Sequence, residues 1–287
     1  MTTRREFLQQ AAVGSLAVSA ALGDDPKAAP TEMPKIKLGD LEVSRLILGS
    51  NPFFGFSHYS GELDREMVEY YTDEHIWQIL DDAAQHGITA VAAPPYERWI
   101  NAFRRYREQG GKLSHWIAQP DPALPEVADA IRAAVDGGAS AVFVQGARTE
   151  EAHQAGRMDL IARWVKLMRD RGVPAGLAAH RRDVHVAVER EKLPTDFYFQ
   201  CFYIPDGKWA ETDPAEAIEA IRQIAKPVIG YKILAAGRRP AEEAFRFALG
   251  NLRPSDGVCV GMFPKHDAEQ LATNVKLTLR YSDTSRA

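Results

Sequence analysis

Lys232 carries the sharpest chemical potential in the chain. It lies in the apolar run Val228-Ile-Gly-Tyr-Lys-Ile-Leu234. Strand alternation puts it on the side of Val228, Gly230 and Leu234, and Gly230 leaves room beside it. A lysine facing a packed sheet interior is costly unless it is paired or used. Burial lowers an amine's pKa and suits it to act as a base or a Schiff-base nucleophile. The alternative is a lysine that snorkels to the rim and pairs with a carboxylate. His180 ends the run Pro174–Ala179 on the side of Gly176 and Ala178. It offers a general base, a metal ligand or a hydrogen-bonded rim residue. His58 lies in the aromatic-rich stretch Pro52–Tyr71, read as one long loop, and loops of that length are usually lids or binding loops. Gln119, Gln145 and Gln200 are amides on apolar strands. They suit a substrate rich in hydroxyl or carbonyl groups, or they fill polar layers of the sheet. Asn51, Tyr96 and Tyr203 complete the set at strand ends.

These positions share a site only if the elements around them converge. From residue 35 onward, short apolar runs alternate with amphipathic stretches. A small hairpin over Lys35–Ser44 turns at Gly39-Asp40. Strands follow at Arg45–Ser50, Ile88–Ala93, Ser114–Gln119, Ala141–Gln145, Pro174–Ala179, Phe197–Tyr203, Val228–Leu234 and Gly257–Met262. A helix follows each of them: Thr72–His86, Arg98–Gln109, Leu124–Asp136, Met158–Arg171, Arg182–Glu191, Pro214–Ile224, Pro240–Leu249 and Asp267–Leu279. Eight right-handed parallel crossovers are best satisfied by closure, so the fold class is α/β, a (β/α)8 TIM barrel with an N-terminal β-hairpin. An open doubly wound sheet is the runner-up, and no G-x-G-x-x-G follows the first strand to support it. The candidate residues then gather at the carboxyl ends of the strands, where barrels of this class keep their sites. Cys201 and Cys259 fall on the sixth and eighth strands, too far apart to bridge, and are expected as free thiols.

Composition narrows the field. The chain has 287 residues, 45% hydrophobic and 26% charged, with a formal charge of −4, which points to no nucleic acid partner. No His-Glu-x-x-His zinc spacing, P-loop or Gly-x-Ser-x-Gly elbow occurs. Residues 1–23 have another character. Thr3-Arg-Arg-Glu-Phe-Leu8 precedes the uncharged run Ala11–Leu22, which is shorter than the roughly 20 residues a membrane span needs. This reads as a twin-arginine signal peptide, cleaved near Ala20 or Gly23. Residues 24–34 read as a Pro/Ala-rich linker and residues 35–287 as the barrel domain. The expected partners are the twin-arginine export machinery and a small-molecule substrate, with no membrane anchor after cleavage, and the expected location is the periplasm or another extracytoplasmic space.

Several segments resemble one family. Leu38-Gly-Asp-Leu-Glu-Val-Ser-Arg-Leu-Ile-Leu-Gly-Ser50 is similar to the opening of the aldo/keto reductases. So are Ala83-Ala-Gln-His-Gly-Ile-Thr89, Val260-Gly-Met262 and Glu269-Gln-Leu-Ala-Thr-Asn274. The resemblance runs from about residue 36 to residue 280. It implies NADPH-dependent carbonyl reduction by a tyrosine acid supported by an aspartate, a lysine and a histidine. Tyr96 matches the tyrosine, but Val91-Ala-Ala-Pro-Pro95 holds no carboxylate. Gln119 stands where the lysine is expected and Gln145 where the histidine is expected. Gln270 and Asn274, with Lys265 more loosely, match the family's nucleotide contacts. Without lysine and histidine neighbours, little would lower the Tyr96 pKa or polarise a carbonyl.

Three readings follow. The preferred one is an exported barrel enzyme that uses Lys232, His180 and Tyr96, with His58, for proton-transfer or Schiff-base chemistry on a small sugar-like carbonyl compound. The second is a divergent NADP-dependent oxidoreductase, and the third a non-catalytic exported binding protein. A metal at His58 and His180 is a further possibility.

Overall fold

The computed structural model describes residues 32–282. Residues 1–23, read above as a signal peptide, and all but the last residues of the stretch read as a linker lie outside this range. A hairpin of β1 (Lys35–Leu38) and β2 (Leu41–Ser44) comes first, with Gly39 in the left-handed region at φ 62°. The chain then continues through β3 (Leu46–Gly49), α1 (Gly61–Tyr70), α2 (Asp73–Gln85), β4 (Ala90–Ala93) and α3 (Glu97–Glu108). Next come β5 (His115–Ala118), α4 (Val127–Asp136), β6 (Ala141–Val144), α5 (Gly146–Gln154) and α6 (Met158–Asp170). The last elements are β7 (Ala175–Ala179), α7 (Asp183–Arg190), β8 (Phe197–Cys201), α8 (Asp213–Ile221), β9 (Val228–Tyr231), α9 (Ala241–Asn251), β10 (Gly257–Gly261) and α10 (Gln270–Ser282).

Strands β3 to β10 pair in parallel in chain order, and β10 closes on β3. The expected (β/α)8 barrel with its N-terminal hairpin is the observed architecture. Two apolar layers follow from closure. The outer layer packs strand faces against helices through Trp99, Trp116 and Trp164, all buried. The inner layer fills the barrel with Ile47, Ala90, Ile117, Phe143, Phe197, Phe199 and Ile229. Ile36, Leu38 and Val43 of the hairpin join that inner cluster, so the hairpin plugs the amino-terminal end. Phe143 and Phe199 stack 4.0 Å apart across the interior. The cavity can therefore open only at the carboxyl ends of the strands.

Several boundaries differ from the sequence reading. Strand β9 stops at Tyr231, not Leu234, because Lys232 takes φ 56° and leaves the extended conformation. Strand β8 stops at Cys201, not Tyr203. The stretch read as a single loop holds a 3₁₀ turn at Asn51–Phe54 and helix α1, capped by the Ser60 hydroxyl. Helix α5 was not expected. It buries only Gly146, Thr149 and Ala152, a stripe too small to register as an apolar face. Helix α8 begins at Asp213, one residue before the expected Pro214, and the Asp213 carboxylate accepts the Ile204 N–H. Cys201 and Cys259 are free, with β9 between their strands.

One buried group makes the fold acid-sensitive. His185 on α7 is fully enclosed, packs on Tyr198 and donates from Nε2 to the Phe199 carbonyl at 3.0 Å. Burial pushes its pKa down to about 4, against the opposing pull of that carbonyl, Glu150 and Glu189. Between pH 6.5 and 4 the unfolded chain binds a proton that the native state refuses. Stability must then fall as pH falls through that window, by about 3 kcal/mol for this residue. Urea midpoints at pH 7 and pH 4.5 should converge more closely in His185→Gln than in wild type. An equal drop in both proteins would sink the assignment.

Candidate functional site

The carboxyl ends of the strands surround a cavity of about 620 Å³. Phe143, Phe199, Ala92 and Ala178 form its floor, and Asn51, His58, Gln119, Gln145, His180 and Lys232 line its wall.

Lys232 reaches this cavity by a route the strand pattern does not show. The inward residues of β9 are Ile229 and Tyr231. Gly230 faces outward, where an added Cβ would meet the Phe202 ring at 2.6 Å. Simple alternation would therefore aim Lys232 at the helices, and the expected grouping with Val228 and Gly230 is wrong. The left-handed backbone at Lys232 turns the side chain back to the mouth. A non-glycine residue held there is under strain, which clusters at functional positions. Its ammonium donates to His58 Nε2 at 2.9 Å. Burial lowers the pKa of the amine. Among the described residues no carboxylate pairs with it. Loss of water and then the Lys232 charge push His58 down to about 4, so its ring is neutral and free to accept. His58 is itself left-handed, at φ 55°.

His180 follows the expected parity and faces the cavity above Ala178. Its ring meets Tyr231 edge-on at 5.7 Å between centroids. Glu150, on the unexpected helix α5, faces it from behind. Glu150 Oε1 accepts the backbone N–H groups of His180 and Arg181, and Oε2 lies 3.4 Å from His180 Nδ1. Burial raises the Glu150 pKa, but these hydrogen bonds outweigh it and the carboxyl is held below its ordinary range. The sequence reading did not single out Glu150. Above the cavity, Arg238 is sandwiched between Tyr59 at 4.7 Å and Trp209 at 4.6 Å, joining the segments that follow β3, β8 and β9.

Gln200, Tyr203 and Tyr96 lie elsewhere. Gln200 alternates with inward Phe199 and so occupies the outer face of β8. It is fully buried there and donates from Nε2 to the carbonyls of Ala179, His180 and Cys201. Tyr203 packs under the Arg239 guanidinium, away from the cavity wall. Tyr96 also lies off the wall. Its hydroxyl donates to Asp121 at 2.5 Å. Burial and that carboxylate hold the phenol well above its ordinary pKa, the wrong direction for a ready proton donor. Gln145 lines the wall and its side-chain oxygen also caps α5 at the Arg148 N–H.

The nucleotide contacts implied by the family resemblance do not assemble. Gln270 borders the cavity, but its side-chain oxygen accepts the Phe263 N–H. Lys265 pairs with Glu66 at 2.8 Å, and Asn274 is buried within α10 with Nδ2 unpartnered. These residues do not fit a nicotinamide nucleotide. Among the described residues, no cluster of three His, Cys, Asp or Glu side chains could hold a metal ion. Nor is any described helix long and apolar enough to cross a membrane.

A strand-end cavity in a closed parallel barrel is the arrangement of enzyme barrels. No protein-family model matches the chain, and no curated protein matches it. Solved structures do match. A Pseudomonas aeruginosa protein provisionally assigned as an aldo-keto reductase superposes with a TM-score of 0.61 at 18% identity, over 89% of this chain and 99% of that one. Phospho-2-dehydro-3-deoxyheptonate aldolase from Thermotoga maritima gives 0.54 at 13% identity, over 88% and 74%. The BexX/CysO complex from Amycolatopsis orientalis gives 0.53 at 16% identity, over 88% and 93%. At these identities the likeness is one of fold.

Proposed function

We propose that this barrel is an enzyme that acts on a small carbonyl compound through an imine at Lys232. The observation that carries the reading is an amine with a lowered pKa at the cavity mouth, bonded to a neutral imidazole and paired with no carboxylate. Once His58 has taken the ammonium proton, Nζ would add to the carbonyl carbon, forming a C–N bond as the C=O π bond breaks and the oxygen takes the proton that Nζ sheds. The carbinolamine hydroxyl would then take the proton held by His58 and leave as water, and the iminium that remains acidifies the adjacent carbon. His180 would take the proton from that carbon. The wall amides Gln119 and Gln145, with Asn51, suit hydroxyl groups, which favours a sugar-like substrate. We further propose that the chain is exported by the twin-arginine route, on the strength of its first residues. Outside the cytoplasm free NADPH is scarce, which favours chemistry without hydride transfer.

The test is reductive trapping. The protein is incubated with small aldoses, ketoses and 2-keto acids in the presence of sodium borohydride, then digested with trypsin. The expected result is one adduct at Lys232, read as a mass increase and a missed cleavage after that residue. Labelling spread over surface lysines would overturn the reading. So would near-stoichiometric NADP released on heat denaturation, which would favour a reductase.

A further inference from the structure

We propose that Glu150 is a positioning residue that fixes the ring of His180 so that Nε2 is the nitrogen working in the cavity. This rests on the imine reading for the reaction it serves, but its geometry stands apart from that reading. Three neighbours, Glu150, Gly146 and Tyr231, surround one imidazole. Glu150 Oε1 is occupied by two backbone N–H groups, from His180 and Arg181. Oε2 is thereby left facing Nδ1 at 3.4 Å. That separation is long for a hydrogen bond, as is common before an active site is loaded. Gly146 closes the other side: a Cβ there would lie 3.0 Å from both Cε1 and Nδ1 of the ring and 3.2 Å from the Tyr231 hydroxyl. Tyr231 supplies the remaining edge. The Glu150 side chain is only 14% exposed, so water competes weakly for its second oxygen.

An ionised carboxylate can only accept, so the ring nitrogen facing it must carry the proton. Nδ1 then donates to Oε2 and Nε2 keeps its lone pair. Among the described residues Nε2 has no protein hydrogen bond, and His180 lines the cavity. A base oriented by a third group is the general logic of activated proton transfer. Helix α5 is what delivers that group. It begins at Gly146, and Glu150 lies one turn in, where its side chain reaches back over the end of β7.

Glu150→Gln tests this directly. The glutamine carbonyl can still accept the two backbone N–H groups, while its amide would now donate to Nδ1. That inverts the tautomer and places the proton on Nε2. The full-length protein carrying [15N]histidine, at pH 8.5, reports the tautomer by nitrogen chemical shift, with His180→Gln identifying the resonances. In wild type we expect a protonated Nδ1 and a bare Nε2, and in Glu150→Gln the reverse. A bare Nδ1 in wild type, or a tautomer unmoved in the variant, overturns the proposal without reference to any substrate. The kinetic arm uses the carbonyl that traps at Lys232. Borohydride labelling of Glu150→Gln should match wild type, while deuterium exchange at the carbon next to the carbonyl should fall by about 10²- to 10⁴-fold. Glu150→Asp should recover part of it. Exchange unchanged in Glu150→Gln, despite an inverted tautomer, also overturns the proposal. If wild type forms no adduct, the imine reading fails and the nitrogen shifts alone decide on Glu150.

Discussion

Lys232→Met is expected to silence the protein and to stabilise it. Loss of the amine removes the nucleophile, so trapping at this site should vanish and turnover should fall by at least about 10³-fold. Methionine keeps the bulk of the side chain but removes an amine that burial disfavours in its charged form. The unfolding free energy should therefore rise, by on the order of 1 kcal/mol, as is common where a functional group that is costly to bury is replaced. The pH dependence has a definite sign. The native amine has a lowered pKa, so between that value and 10.5 the unfolded chain binds the extra proton. Wild-type stability then rises with pH in that window, and the gap to Lys232→Met narrows from pH 7 to pH 10. Urea melts at both pH values, beside a trapping assay, read the two effects together. A variant that is active and less stable than wild type would make Lys232 a structural residue. Lys232→Gly adds a check, since glycine accepts the left-handed backbone without strain.

How far the site was legible from sequence depends on what marks a strand's inner face. For β7 the small residues Gly176 and Ala178 marked it, and His180 followed at the correct parity. For β8 and β9 no such mark exists. Phe-Tyr-Phe-Gln-Cys and Val-Ile-Gly-Tyr show no in-out alternation because both faces of a parallel strand are buried. Gln200 was therefore placed one residue out of phase, and Lys232 reached the mouth only through a left-handed turn that a non-glycine residue does not advertise. The closed barrel was legible because it depends on the order of segments and tolerates errors of one or two residues at their ends. Glu150 was invisible for a third reason: it sits on a helix whose buried stripe is Gly-Thr-Ala, with no apolar periodicity to reveal it. Contacts made across sequence, such as Glu150 to His180 or His58 to Lys232, have no local signature at all.

The opposite end of the barrel should respond in the opposite way. Asp256, just before β10, is fully buried. Its Oδ1 accepts the Val228 N–H at 2.9 Å, and its Oδ2 accepts both the backbone N–H and Nε of Arg253 at 2.8 Å. Arg253 in turn donates to the carbonyls of Ile224 and Lys226, and the buried Arg45 donates to those of Asp256, Arg253 and Ser282. One carboxylate thus secures the starts of β9 and β10 and the arginine that holds the chain leading into β9. Asp256→Ala leaves the Val228 N–H and the Arg253 guanidinium without their partner, and should cost about 3–5 kcal/mol. Adding Arg253→Met should cost less than the sum of the two single changes, because the pair is one unit. Any molecules that still fold should trap carbonyl compounds at Lys232 as wild type does, since conservation of the mouth does not depend on this face. A loss below about 1 kcal/mol by urea unfolding would mean that the strand starts are held by the hairpin plug rather than by this carboxylate.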